Sequence, residues 1–342
     1  MPDDPAIRSR VRHEPMPQTI RIGTRGSGLA RVQADWVAAE LRGLGHDIQL
    51  EIISTRGDRR RDVPIAALGR DGVFVRELER ALLDERIDVA VHSLKDMPTA
   101  AVPGLGIACV PGRASPFDAA VCRVGESFEG LSAGAVVGTS SIRRVVQVKA
   151  LRPDLEVLPV RGNVDTRLRK LDQGEFDCLV LATAGLTRLG LADRITTILE
   201  PPAFWPAVGQ GALGLQTRSD DRATREALVP LDDVAAHSGV VAERACLAQL
   251  SAGCLAPVAG WGRVAPAGEL VLSARVFEDE GNSIGQVAAE AQVPGFSCRG
   301  VDFTADGETP AALGRDVAAA LLAAGAGPML DRMRQRAEGS AH

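Results

Sequence analysis

Between Thr19 and Ala182, short aliphatic runs of strand character alternate with amphipathic helical stretches, and they do so in two successive sets. The first set reads "TIRIG", "LARVQADWVAAELRGL", "DIQLEIIST", the helical "VFVRELERALLDE" and the strand "DVAVHS". The second begins near Ala135 with "AVVGTS", "IRRVVQVKALR", "LEVLPVRG", "VDTRLRKLDQ" and "FDCLVLAT". Strands that alternate with helices predict parallel sheets of βαβ units, and two sets predict two α/β domains. Pro/Gly-rich "MPTAAVPGLG" and "VPGRASP" mark the first boundary, and "EPPAFWPAVGQGALG" the second. After about Asp232 the pattern changes. A helical "VVAERACLAQL" precedes alternating segments, "ELVLSARVFE" and "SIGQVAAEAQV", which predict antiparallel strands joined by "DEGN". A final Ala/Leu helix completes a small α+β domain. The sequence shows no internal repeat.

Composition narrows the function classes. A net charge of −5 over 342 residues gives no general affinity for nucleic acid or an anionic membrane. Aromatics make up 3% with no Tyr, which argues against base-stacking platforms. The most apolar run, "VAAALLAAGAGPML", is too short to span a bilayer and carries Gly and Pro. The first 18 residues hold four Pro among charges and no apolar h-region, so they read as a mobile tail and not as a secretory signal. The six cysteines (Cys109, Cys122, Cys178, Cys246, Cys254, Cys298) form no CxxC and no Cys/His cluster. They are expected as reduced thiols in a cytoplasmic protein, with no metal site.

Two stretches share a design. "GTRGSGLA" (Gly23–Ala30) and "GTSSIRR" (Gly138–Arg144) each follow a strand and open a helix. Small residues there let backbone N–H groups approach an anion, while the alternative is plain capping by Ser27 and Ser141. From Thr139 to Lys170 eight basic residues face three acidic ones, a local +5 in an acidic protein. Arg143, Arg144 and Arg161 fall at strand–helix junctions, where α/β sheets bind ligands, and guanidinium forks suit carboxylates or phosphates. The ligand is expected to be polyanionic. Lys149 and Arg152, further along the helix, are expected as solvated positions. "VAVHSLKDMP" ends a buried strand; alternation predicts Lys95 and Asp96 on opposite sides before Pro98 breaks the ladder. Asp96 then enters a cationic cleft, either as an ion-pair organiser or as the group that handles positive charge and protons. Cys254, in "LSAGCLAPVAG", taken by itself reads as a small buried hydrophobe.

In order along the chain stand "GTRGSGLA", "STRGD", "GVFVRELE", "AVHSLKDMP", "GTSSIRR", "RGNVDTRL", "AGLTRLGL", "PAVGQGALG" and "AGCLAP". Together they resemble the porphobilinogen deaminase (hydroxymethylbilane synthase) family from Thr19 to the C-terminal helix. The resemblance implies an α/β fold: two type II periplasmic-binding-protein-like α/β domains plus a small C-terminal α+β domain, with "GALGLQTR" crossing back into the first. It divides the chain into residues 1–18 (tail), 19–113 with 212–230 (first domain), 116–206 (second), 234–330 (cofactor attachment) and 331–342 (C-terminal tail).

The implied activity is head-to-tail condensation of four porphobilinogen molecules on a covalent dipyrromethane primer. Ammonia leaves, giving an electrophilic azafulvene, and hydrolysis frees hydroxymethylbilane. Covalent attachment makes each coupling effectively intramolecular. Cys254 aligns with the cysteine that carries dipyrromethane through a thioether, and Asp96 with the catalytic acid. Lys95, Ser93, Ser141, Arg143, Arg144 and Arg167, together with Asp96, are implied around the cofactor. Arg25, Ser27, Arg161, Arg188 and Gln210 are implied around substrate. The implied partner is porphobilinogen alone, with no nucleic acid or membrane, and the implied state is a monomer. Cys246 is expected to be a buried small hydrophobe. The chain departs from the family pattern at Gly69-Arg70-Asp71-Gly72, where Asp71 replaces a usual Lys, and at Ser251-Ala252 and Leu255-Ala256 around the cysteine. The competing readings are a non-catalytic polyanion-binding protein of the same architecture, which needs neither Asp96 nor Cys254, and a ligand-sensing regulator, which would want a helix-turn-helix.

Overall fold

The computed structural model describes residues 19–54, 75–123, 126–251, 256–279, 284–293, 296 and 308–339. The expected N-terminal tail, the Gly69–Gly72 departure, Cys254 and Cys298 lie outside the described residues. The described strands of the first two domains are β1 (Thr19–Thr24), β2 (Asp47–Ile52), β3 (Val89–Ser93), β4 (Leu105–Cys109), β5 (Asp118–Cys122), β6 (Val136–Gly138), β7 (Glu156–Leu158), β8 (Cys178–Ala182), β9 (Thr197–Leu199) and β10 (Leu213–Arg218). Their helices are α1 (Gly28–Gly43), α2 (Arg76–Leu83), α3 (Ile142–Leu151), α4 (Val164–Asp172), α5 (Thr183–Arg188) and α6 (Arg222–Leu228).

The sheets run β2-β1-β3-β10-β4 and β7-β6-β8-β5-β9. The two orders correspond strand for strand, a repeat of topology that the residues themselves do not display. The expectation of purely parallel sheets is corrected: β10 is antiparallel to β3 and β4, and β5 is antiparallel to β8 and β9. Each reversed strand is the one that enters after the chain has crossed from the other domain, so it arrives from the cleft side. The two α/β domains thus share one mixed five-stranded topology.

Local sequence explains the frame. In α1, Ala34, Val37, Ala38 and Leu41 repeat at helical spacing and form its buried face, and Ser27 caps its start by accepting from the Ala30 N–H at 3.4 Å. A Cβ on Gly23 would lie 2.4 Å from Ile87 Cδ1, and one on Gly138 2.6 Å from Leu179 Cδ2. The shared "GT" of the two strand–helix junctions thus has a packing cause in both domains.

The third domain has strands β11 (Val258–Val264), β12 (Leu270–Asp279) and β13 (Ile284–Val293), paired antiparallel in that order. Helices α7 (Val234–Gln249), α8 (Glu308–Ala323) and α9 (Ala326–Gly339) complete it, around a core of Cys246, Leu250, Leu272, Val317 and Leu321. Residues 331–339, expected as part of a tail, continue α9. Arg332 binds both oxygens of the buried Glu278, at 2.8 and 2.6 Å, which anchors this end of the chain to β12. The domain packs on both others: Val240 joins Leu94, Met97 and Ala212, while Ala259 and Phe277 join Val146 and Trp205. No helix among the described residues is long and apolar enough to cross a membrane.

Candidate active site

The cleft floor is built at the two crossovers. β3 ends at Ser93, and Leu94–Asp96 coil into a single 3-10 turn. The strand alternation expected for Lys95 and Asp96 is therefore replaced: Lys95 is half-buried and Asp96 is exposed at the end of the turn. Leu94 closes the turn against β10, where a Cβ on Gly214 would lie 2.5 Å from Leu94 Cδ2.

Across the cleft, α3 begins with Ser141 as its N-cap residue, whose side chain makes no capping bond, unlike Ser27. Arg143 and Arg144 in its first turn are buried. Both converge on Asp118: Arg143 Nη2 lies 2.8 Å from Oδ2, and Arg144 Nη2 2.7 Å from Oδ1. Arg144 also donates to the Val180 carbonyl at 2.9 Å, and Arg143 to that of Trp205. Gln210, fully buried in the return crossover, donates to Asp118 at 3.0 Å and accepts from Arg144 at 3.3 Å and from Lys95 Nζ at 3.5 Å. One chain of contacts thus runs from Arg143 through Asp118, Arg144 and Gln210 to Lys95.

Burial holds the Lys95 ammonium down to about 8, with Arg144 and Arg143 opposing and Asp96 and Asp118 supporting its charge. Arg167 on α4 is pushed down to about 10 by burial and by Arg144, while Asp96 supports its charge. Arg167 and Asp96 thus share one field across the cleft. Arg188 on α5 donates to the Gly211 carbonyl at 2.7 Å, and burial lowers it too. Ser93 exchanges hydrogen bonds with Gln33 at 3.0 and 3.2 Å. Arg25 is half-buried at the β1–α1 junction, and its charge reaches His92. Arg161 is exposed between β7 and α4. The first turn of α1 faces the second domain: a Cβ on Gly28 would lie 3.9 Å from Asp165 Oδ2, and one on Gly185 3.7 Å from Leu29 Cδ2.

Four cations (Lys95, Arg143, Arg144, Arg167) therefore meet two carboxylates (Asp96, Asp118), and Arg188 is held on the return crossover by the Gly211 carbonyl. A group with several carboxylates, such as a dipyrromethane with an acetate and a propionate on each ring, fits this donor set. No group of three His, Cys, Asp or Glu able to hold a metal is present among the described residues. Lys149 and Arg152 are not merely solvated. Lys149 pairs with Asp279 of the third domain at 2.8 Å. Arg152 donates to the carbonyls of Phe128, Glu129 and Leu131 at 3.2, 3.1 and 2.7 Å and pairs with Asp154, fixing the loop beneath α3.

Residues 20–226 match the family model described as "Porphobilinogen deaminase, dipyromethane cofactor binding domain", and residues 238–323 match the C-terminal domain of the same enzyme. The chain belongs to the porphobilinogen deaminase family. It is 46% identical over 321 residues to a porphobilinogen deaminase of Desulforudis audaxviator, covering 93% of this chain and 99% of the relative. A second relative, from Syntrophobacter fumaroxidans, is 42% identical over 318 residues, 92% of this chain and 98% of its own. Among solved structures, the methionine binding protein MetQ aligns with 62% of this chain and 89% of its own at 16% identity, with a TM-score of 0.40. The porphobilinogen deaminase assignment makes the chain a transferase of tetrapyrrole biosynthesis with hydroxymethylbilane synthase activity, dipyrromethane as cofactor and porphobilinogen as substrate. The non-catalytic reading is not favoured.

The sequence reading passed over Asp118, Gln33, Arg113, Glu243 and Arg244. Two of them carried a signal. Asp118 opens the otherwise apolar "DAAVC", and Glu243 lies at helical spacing from Val240 and Cys246 on a buried face. A charge in such a place needs a buried partner.

Proposed function

We propose that porphobilinogen units are joined in the cleft between the first two domains. Cys254 is the thioether anchor, Asp96 the acid–base group, and Lys95, Arg143, Arg144 and Arg167 bind carboxylates of the cofactor. Arg25, Arg161 and Arg188 serve substrate and growing chain in the same way, with Ser27, Ser93, Ser141 and Gln210 as supporting polar groups. The observation that carries this reading is the meeting of Lys95, Arg143 and Arg144 around Asp118 and Gln210, with Asp96 on the adjoining turn.

When attached, dipyrromethane supplies the nucleophilic pyrrole carbon that the first porphobilinogen joins. Lys95 and the arginines orient substrate by its carboxylates, which brings its aminomethyl carbon to Asp96. There the carbon–nitrogen bond breaks, ammonia leaves, and a carbon–carbon bond forms. The Asp96 carboxylate offsets the positive charge that develops on the substrate ring and takes up the proton released at the new bond. The working unit proposed for this scheme is a monomer. The free thiols of Cys109, Cys122, Cys178 and Cys246 suit a reducing cytoplasm.

The test is turnover. Purified chain given porphobilinogen should release one ammonia per unit consumed and yield hydroxymethylbilane. Binding of porphobilinogen without ammonia release would overturn the reading. Sedimentation and cell fractionation check the monomer and the compartment.

A further inference from the structure

Asp118 is the first residue of β5, entered directly from the first crossover, and it is fully buried. Its Oδ1 accepts from Arg144 Nε at 2.9 Å and from Gln210 Nε2 at 3.0 Å. Its Oδ2 lies 2.8 Å from Arg143 Nη2 but outside hydrogen-bond alignment, a contact of charge alone. Two buried guanidiniums therefore share one buried carboxylate. We propose that Asp118 is a positioning residue for the established reaction: a built-in counter-ion that fixes Arg143 and Arg144 in one orientation and cancels one of their charges, so that the pair takes a single ligand carboxylate. This rests on the reading of the cleft given above.

Buried charge is tolerated only when paired, so two adjacent buried arginines without Asp118 would repel and turn outward. With it, each guanidinium is held on two sides, by Asp118 and by a backbone carbonyl of Trp205 or Val180, and the pair keeps one unit of positive charge. That remainder matches one carboxylate of an incoming ring, and a fork fixed beforehand loses less freedom on binding. Gln210 touches Asp118, Arg144 and Lys95, so the Asp118 charge also supports the ammonium on the other wall of the cleft.

The experiment uses full-length protein produced without porphobilinogen, then supplied with it. Intact mass under denaturing conditions reads the dipyrromethane gained per chain. Steady-state KM and kcat, and the alkaline limb of loading, are read on the same samples. Asp118→Asn keeps the shape and removes the charge. It is expected to slow loading at least tenfold and to raise KM more than it lowers kcat. It should also move the alkaline limb to lower pH, because Lys95, which faces Asp96, Asp118, Arg143 and Arg144, loses a negative neighbour. Asp118→Glu keeps the charge and should hold the limb in place while raising KM. If Asp118→Asn does not fold, Asp118→Asn with Arg143→Gln decides, since it removes one charge of each sign. Recovery of a cooperative melt supports the counter-ion role, and no recovery overturns it. Wild-type loading, KM and limb in Asp118→Asn would overturn the proposal while leaving the cleft reading intact. Wild-type protein that gains no dipyrromethane would instead sink the cleft reading.

Discussion

Arg244, on α7 of the third domain, donates from Nη1 to the carbonyl of Met97 at 3.0 Å and from Nη2 to that of Pro98 at 2.6 Å. Those carbonyls directly follow Asp96. The same helix leads into the segment that holds Cys254. One guanidinium therefore ties the end of the turn that carries Asp96 to the helix that precedes Cys254. Arg244→Gln should displace Asp96 without touching the arginines proposed to bind carboxylates. The expected result is a kcat loss of up to about 100-fold with KM nearly unchanged. Equal loss in both parameters, or none, would contradict the link.

Asp96 is exposed and sits at the end of a 3-10 turn, so its side chain is not part of a core. Asp96→Asn should melt within about 0.5 kcal/mol of wild type and lose about 100- to 10,000-fold in rate. Near-normal turnover would remove Asp96 from the chemistry.

Much of this arrangement was legible in the sequence, and the limits have physical causes. Periodicity reported the strands and helices because each has one buried face. The family motifs supplied the identity of the site, since a strand-end Asp or a helix-start Arg is common in any α/β protein. Strand direction was not legible: β5 and β10 carry the same apolar runs as their parallel neighbours, and only the crossing of the chain between domains reverses them. Arg152 reads as a surface residue by spacing, yet its fork finds three carbonyls some twenty residues away in sequence. Long-range polar partners of this kind leave no periodic trace.

Arg113, in the first crossover, and Glu243, on α7, form a buried ion pair with contacts at 2.5 and 3.2 Å. Glu243 also accepts from the N–H groups of Gly209, in the return crossover, at 2.6 Å and of Gly262, on β11, at 2.7 Å. Both crossovers and the third domain thus meet at one carboxylate. Glu243→Gln leaves the Arg113 charge buried without a counter-ion and should cost about 3–5 kcal/mol. Chemical denaturation measures this, and a change under 1 kcal/mol would show that the node is not buried as described.

Lys95, held at about 8 instead of its ordinary 10.5, should set an alkaline limit on carboxylate binding. The ammonium proposed to bind carboxylate is lost as pH rises through about 8, so kcat/KM for porphobilinogen should fall there. The sign for stability is opposite. Between about 8 and 10.5 the unfolded chain binds the proton that the folded chain does not, so this group's contribution to stability rises with pH. Lys95→Arg stays charged throughout and should abolish the limb in kcat/KM. A limb that persists in that variant assigns it to another group.

Cys254 and Cys246 are expected to differ as nucleophiles. Cys246 is buried in the core of the third domain, and burial together with the charge of Glu243 pushes its thiol up to about 12. It carries almost no thiolate at neutral pH and cannot compete as a nucleophile. In the sequence Cys254 follows the end of α7 and is preceded by Gly253. Serine has nearly the same size as cysteine but is a far weaker nucleophile. Denatured wild-type protein should therefore weigh more than its sequence by two linked pyrrole units and react with a pyrrole-specific aldehyde. Cys246→Ser should keep both signals and its activity, whereas Cys254→Ser should lose all three. An adduct that survives in Cys254→Ser would place the anchor elsewhere, and its loss in Cys246→Ser would mean that a buried thiol at about 12 is reached by the electrophile after all.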